Sequence, residues 1–339
     1  MAQVLRLYGV SDLRLRDEPL PLPGPGDVLV RVTAVGICGS DLHWLSQAGI
    51  GNERLGQPLV LGHEFAGVID SGDRRSRRGQ RVAVDPAISC GTCELCQAGH
   101  PNLCTALRFA GQGTEDGALR EYLAWPSHCL HPLPDSLSDA DGAMLEPLGV
   151  AIHAVDLSHL HAGMSVAVLG SGPVGLLILQ LARTMGAARL IATDTLPHRL
   201  EAARLLAMAE PFRADGGREA GEIVAATGGR GVDVAFETAG ENDAVEAAVA
   251  SLRPGGCLVL VGIPADDRTA FSASVARRKG LTIKLSRRMK HTYPRAIRLV
   301  EDGVVDVRSL VTHRFPLAQF DRAFEIASRR EGLKVIVEP

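Results

Sequence analysis

The chain has 339 residues, 46% of them hydrophobic and only 4% aromatic, with 36 basic and 39 acidic side chains for a net charge of −3 and a pI near 6.4. That length suggests about two domains, and the charge balance supplies no long-range attraction to nucleic acid or to an acidic membrane surface. No apolar run reaches the ~18 residues of a membrane span, and the N-terminus runs into strand-like sequence without a charged-then-apolar leader, so a cytoplasmic location is expected.

The first 150 residues read as short strands punctuated by glycine and proline. Asp27–Val35 is apolar and β-branched, Phe65–Ile69 continues the pattern, and Arg81–Val84 follows a Gly-Gln turn. Helical periodicity is scarce, which predicts an irregular β-rich domain. Within it, Gly36-Ile-Cys38-Gly-Ser40-Asp-Leu-His43 and Gly62-His63-Glu64 carry side chains able to bind metal or pass protons. Neither piece is informative alone, since a single cysteine is usually a small buried hydrophobe. The basic runs Arg74–Arg78 and Arg277–Lys279 are short enough to be solvated faces.

Cys90-Gly-Thr-Cys93-Glu-Leu-Cys96 followed by Cys104 places four of the seven cysteines within 15 residues. Thiolates at such spacing can close tetrahedrally on one Zn2+, and a four-sulfur site with no open position is structural. A disulfide framework suits short secreted chains instead, so structural zinc is the expectation.

Near Ser165 the character changes. Val166–Leu169 is a fully apolar strand, Gly170-Ser-Gly172-Pro173-Val174-Gly175 opens a helix to about Met185, and Leu190–Thr193 is the next strand, closed by Asp194. This is a dinucleotide fingerprint in its proper strand–turn–helix context, with the acidic residue 19 positions past Gly175. The first glycine permits the turn, the second lets backbone approach a pyrophosphate, and the third packs helix on sheet. Asp194 can accept from the adenosine ribose, which selects NAD and repels the extra phosphate of NADP. Arg199, close by, would stack over adenine or stand in solvent. Further alternation at Val232–Phe236, Asn242–Leu252, Cys257–Gly262 and Leu281–Leu285 predicts a parallel, doubly wound sheet. A helix at Pro294–Glu301 and a strand at Lys334–Val337 follow, and this tail is expected to return to the first domain.

Taken together and in this order, these motifs resemble the zinc-dependent medium-chain dehydrogenases over essentially the whole chain. The resemblance narrows to the sorbitol (polyol) dehydrogenase branch through Glu146-Pro-Leu-Gly-Val and Val311-Thr-His-Arg-Phe-Pro316, with Arg288 ahead of Thr292-Tyr-Pro294. It implies an α/β protein with a GroES-like β-rich catalytic domain over 1–150, completed by about 289–339. A Rossmann NAD-binding domain over 151–288 and an active site in the cleft between the two are also implied. Cys38, His63 and Glu64 would hold a catalytic zinc, with Glu146 acting through water or as an exchangeable ligand. Three protein ligands leave a position where a substrate hydroxyl is acidified while nicotinamide accepts hydride. Ser40 and His43 match the proton relay. Gly262, Ile263, Arg199 and Arg288 join the fingerprint residues as cofactor contacts, and Trp44, Phe109 and Arg288 form the substrate wall.

The implied reaction is oxidation of a secondary alcohol of a polyol or sugar derivative. Threonine, aldonate and vicinal-diol dehydrogenases of the same family are the alternatives, although the threonine enzymes tend to carry Asp where this chain has Glu146. A non-catalytic, crystallin-like or regulatory relative would have lost ligands that are all kept here. A homodimer or homotetramer is expected through Leu281–Leu285, an apolar strand at a sheet edge. Two departures stand out. Gly72 follows Gly67 by five residues rather than six, with a short Arg-rich loop at Asp73–Gly79, and Met289, Lys290 and His291 adjoin Arg288. Cys129 and Cys257 read as buried free thiols.

Overall fold

The computed structural model describes residues 1–71 and 77–339; Gly72 and the start of the loop after it, through Ser76, lie outside the described residues. The chain divides into two compact units, one made of Met1–Glu146, Lys290–Gly303 and Val307–Pro339, the other of Pro147–Met289 with Val304–Asp306.

The first unit is built on the strand Asp27–Gly36. Its valines at 28, 30, 32 and 35 are β-branched and fully buried, the composition of a central strand. It pairs antiparallel with Glu64–Ser71, Tyr122–Pro126 and Lys334–Glu338, and Lys334–Glu338 pairs in parallel with Val311–Pro316. Arg81–Val84 and Leu130–Pro132 extend the sheet on the other side. At the register shift opposite Val32, Gly67 is required, because a Cβ there would lie 2.5 Å from the Arg31 carbonyl oxygen. Trp44, Phe65, Trp125, Leu5 and Leu7 fill the core, and the Trp125 indole donates to the Asp85 carbonyl at 2.9 Å.

Helices are more frequent than the sequence suggested. Gly39–Gln47 and Asp139–Ala143 both open with a capping box, Ser138 and Asp141 exchanging bonds of 3.1 and 2.8 Å in the second. Leu145–Ser158, 14 residues long, is buried almost all round and so shows no amphipathic period.

The second unit is a six-stranded parallel sheet among the described residues, in the order Glu210–Arg213, Arg189–Asp194, Ser165–Leu169, Val232–Glu237, Leu252–Leu260, Thr282–Leu285. This is the doubly wound order of a Rossmann fold, reversing between Ser165–Leu169 and Val232–Glu237. The strand Glu210–Arg213 escaped the sequence pattern because it is a mostly exposed edge containing Pro211, a residue confined to such edges. Arg277 and Arg278 are exposed as expected, but Lys279 is not simply solvated. Its ammonium donates to the carbonyls of Val249, Ala250 and Leu252 at 3.1, 2.6 and 2.6 Å, satisfying the end of helix Asn242–Ser251. Cys129 is buried, with its thiol pushed up to about 12 by desolvation, whereas Cys257 is only half-buried. No described helix is long and apolar enough to cross a membrane.

Candidate active site

Cys38 caps the helix Gly39–Gln47 in an extended conformation, and Asp41 in the first turn returns its carboxylate to the Cys38 N–H at 2.9 Å. The thiol therefore stands at the N-terminus of this helix. The other Asp41 oxygen accepts from Gly62 N–H at 3.2 Å and lies 3.6 Å from His63 Nδ1. One buried carboxylate thus sets Cys38, the Gly62 turn and the His63 ring, and leaves Nε2 of that ring for an ion. Burial opposes a charged His63, but Asp41 and Cys38 outweigh it and raise its pKa.

Glu64 starts its strand opposite Gly36, where a side chain larger than hydrogen would overlap the Glu64 carboxylate. Both Glu64 oxygens accept from Lys334, at 2.8 and 2.6 Å, and Lys334 also donates to the Ile37 carbonyl at 3.1 Å. The pair is nearly inaccessible, 1% and 4% exposed, and Glu64 holds Lys334 charged in spite of its burial.

Donor atoms of Cys38, His63 and Glu64 all come within 4.8 Å of one another, and these are residue types that zinc accepts. Glu146, at the start of helix Leu145–Ser158, lies outside that group. Burial pushes its carboxyl up to about 7; Glu64 and Asp85 add to this, while His63 and Lys334 work against it. The Phe109 ring stands 5.4 Å from the His63 ring, centroid to centroid, and walls one side of it. Ser40 and His43 share one face of the first helical turn and are half-buried. Trp44 is different. It follows Asp41 by three residues on the inward face and is 2% exposed, so its ring belongs to the core rather than to an open wall.

The four sulfurs of Cys90, Cys93, Cys96 and Cys104 also converge within 4.8 Å, and none is in a disulfide. Cys93 N–H donates to Cys90 Sγ and Cys90 N–H to Cys104 Sγ, both at 3.3 Å. The backbone N–H groups of Thr92 and Cys93 bring the Cys90 thiol down to about 6. Such a set suits a tetrathiolate zinc. His100, between Cys96 and Cys104, meets the Lys290 ammonium at 2.9 Å.

In the second unit, Gly170 has φ +101 and no room for a Cβ against Ala239 N at 2.8 Å, and a Cβ on Gly175 would overlap the Gly170 carbonyl. Gly172 is open, its nearest neighbour being Arg199 Nη1 at 3.7 Å. Helix Pro173–Thr184 begins there with no side-chain cap, so its first N–H groups are available to a pyrophosphate, and the fingerprint fits a dinucleotide. Asp194 accepts from Ser171 N–H and Leu196 N–H, both at 2.9 Å, so it shapes the fingerprint loop as well as facing it. Arg199 does not stand in solvent: its side chain is 15% exposed and reaches to 3.7 Å from Asp194. Gly262 follows the strand Leu252–Leu260, Ile263 is half-exposed, and Arg288 holds a left-handed backbone with φ +53.

Residues 24–135 match the family described as alcohol dehydrogenase GroES-like domain, and residues 173–302 match the family described as zinc-binding dehydrogenase. Sorbitol dehydrogenase of Bacillus subtilis is 37% identical over 98% of this chain and 96% of its own. The chain belongs to the zinc-dependent medium-chain dehydrogenases and is sorbitol dehydrogenase-like. L-idonate 5-dehydrogenase of Vitis vinifera is 36% identical over 95% of this chain and 90% of its own. A solved zinc-binding dehydrogenase from Sinorhizobium meliloti, bound to NADP, superposes with a TM-score of 0.89 at 33% identity, over 100% of this chain and 99% of that one. Two residues of this dehydrogenase's site, Asp41 and Lys334, were not singled out from sequence. Asp41 had a signal, an acid three residues after the cysteine in a Cys-x-x-Asp cap. Lys334 had only its place as the one cation heading an apolar strand.

Proposed function

We propose that the protein oxidises a secondary alcohol of a polyol or related sugar derivative to the ketone, with NAD as acceptor. The observation that carries this is the buried group Cys38, His63 and Glu64, set by Asp41, walled by Phe109 and adjoining the helix of Ser40 and His43. Cys38 and His63 hold the zinc, with Glu64 or Glu146 as a third, exchangeable ligand. A zinc ion held there would supply a Lewis acid for the substrate hydroxyl, and a dinucleotide held by the second unit would supply the hydride acceptor. Ser40 receives the hydroxyl proton and His43 passes it outward. Phe109 excludes water beside His63. The fingerprint holds the pyrophosphate, Asp194 favours NAD, and Arg288 serves the cofactor and the substrate wall. The four cysteines hold a second, structural zinc.

The test is NAD reduction by sorbitol, xylitol and galactitol against L-idonate, 2,3-butanediol, L-threonine and ethanol, with zinc measured in the same preparation. A polyol should lead and ethanol should be poor, because a site built to bind hydroxyls rejects analogues lacking them. Another substrate outpacing every polyol by about tenfold, some 1.4 kcal/mol of barrier, sinks the polyol assignment. An aldonate is the second reading, favoured by the L-idonate relative and by a guanidinium at Arg288 able to grip a carboxylate. Against it, Lys290 is already engaged by His100.

The edge strand Thr282–Leu285, with Leu285 76% exposed, supports self-association into a dimer or tetramer. Light scattering that gives a monomer at micromolar concentration ends that idea.

A further inference from the structure

Glu237 is a buried carboxylate that none of the chemistry above uses. It ends the wholly buried strand Val232–Glu237, beside the fingerprint strand Ser165–Leu169, where the strand order of the sheet reverses. Its side chain is 1% exposed. Oε1 accepts from the N–H groups of Ala239 and Gly240, at 2.7 and 2.6 Å. The carbonyl of the same residue accepts from Val261 and Gly262, at 2.8 and 3.0 Å. One residue therefore fastens two successive loops at the carboxyl ends of neighbouring strands.

Those loops touch backbone to backbone. Gly240 has φ +73, and a Cβ there would lie 2.5 Å from the Ile263 carbonyl oxygen. A Cβ on Gly262 would overlap Gly240 N and come within 2.8 Å of Glu237 Oε2. Thr238 ties the first loop to the fingerprint, its N–H donating to Leu169 O at 2.8 Å and its hydroxyl to the carbonyls of Leu169 and Gly170. Burying a carboxylate is costly, and burial raises the Glu237 pKa against the N–H groups that lower it. An apolar side chain would fill the same space without that cost. What the carboxylate adds is the fixed shape of residues 238–240.

A doubly wound sheet offers one mononucleotide-binding half on each side of its switch point, and ligands lie outside the carboxyl ends of the strands. Asp194 belongs to the half that takes adenosine; residues 238–240 and 262–263 belong to the other. We infer that Glu237 is a positioning residue for the nicotinamide half of the dinucleotide. It acts by holding these two loops in the form that receives that half. The inference rests on the NAD reading of this unit.

Dissociation constants for NADH and for AMP, which reports the adenosine half alone, test it on the whole zinc-loaded protein. Glu237→Ala should weaken NADH by roughly tenfold or more, the scale of losing charge-assisted hydrogen bonds, and raise KM for NAD with kcat little changed. AMP binding should stay within about twofold. Glu237→Gln keeps an acceptor at Oε1 and should restore most of the NADH affinity. If the alanine variant does not fold, Glu237→Asp, whose acceptor is drawn back by one methylene, should give the same split between NADH and AMP. NADH and AMP weakened alike, or NADH unchanged with a lower melting temperature, would make the role purely structural and overturn the inference. Wild-type protein that binds AMP but not NADH would overturn the NAD reading first, and the inference with it.

Discussion

The two units of this dehydrogenase solve the same problem, holding charge in a buried place, by opposite means. The first carries its site on residues far apart in sequence and offsets full charges with full charges, as in Asp41 beside His63 and Glu64 against Lys334. The second is nearly continuous in sequence, and beside its fingerprint it relies chiefly on backbone N–H groups, which hold Asp194 and Glu237 from within a few tens of residues, although Asp233 at the start of its strand pairs with Arg230 and Arg253. An ion pair across a sheet is sensitive to losing one partner.

The largest test of this contrast is chemical. Cys38→Ser should lower turnover on the order of a thousandfold or more, with NADH affinity and melting temperature little changed. Cys96→Ser should instead lower thermal stability and take zinc content from two per chain to one, because a closed thiolate site contributes folding energy. Equal stability of Cys96→Ser and wild type would refute the second metal's structural role.

Lys334→Met leaves Glu64 buried without its cation and should cost about 3–5 kcal/mol in denaturant unfolding. Adding Glu64→Gln should recover much of that stability but not activity. A single variant as stable as wild type would show that the pair is not what secures this end of the sheet.

Acid should separate the units. His131 stacks on Tyr293 at 4.5 Å, and burial brings its pKa down to about 4. Its folded value lies below the unfolded 6.5, so the unfolded chain takes up the proton first. Stability is full above pH 6.5 and is lost as pH falls toward 4, by up to about 3 kcal/mol. In the second unit Asp233 is held below the usual carboxylate range by Arg230, with Ser165 and Arg253 helping. Its contribution persists until pH falls below its ordinary value of 3.8. His131→Phe should flatten the unfolding free energy between pH 6.5 and 4; an unchanged slope would exclude His131 as its source.

The smallest expected effect is on cofactor choice. Asp194→Ala should cost roughly ten- to a hundredfold in efficiency with NAD, the worth of a charge-assisted hydrogen bond, and raise the relative use of NADP while both zincs remain. The 3.7 Å approach of Arg199 to Asp194 keeps a guanidinium at hand for the extra phosphate. A wild-type enzyme indifferent between the two cofactors would remove Asp194 as selector.

The same contrast decides how much could be read beforehand. The fingerprint and the four cysteines are local, so spacing alone carried them. Cys38 and His63 came only through resemblance to a family, since neither cysteine nor histidine speaks by itself. Lys334 was illegible, because its partner Glu64 depends on the register of a strand 270 residues away. The helix Leu145–Ser158 was hidden by burial on every side, and the edge strand Glu210–Arg213 by its exposure.

The pairing of Glu64 with Lys334 also imposes an order on biosynthesis. When Glu64 is added to the growing chain, the residue that balances it is still 270 codons from being read. The dinucleotide unit is translated in between, so it can condense while the strand Asp27–Gly36 still lacks its last partner. During that interval the Glu64 carboxylate is without the cation that offsets it in the folded chain. The arrival of Lys334 supplies the cation that this buried acid otherwise lacks.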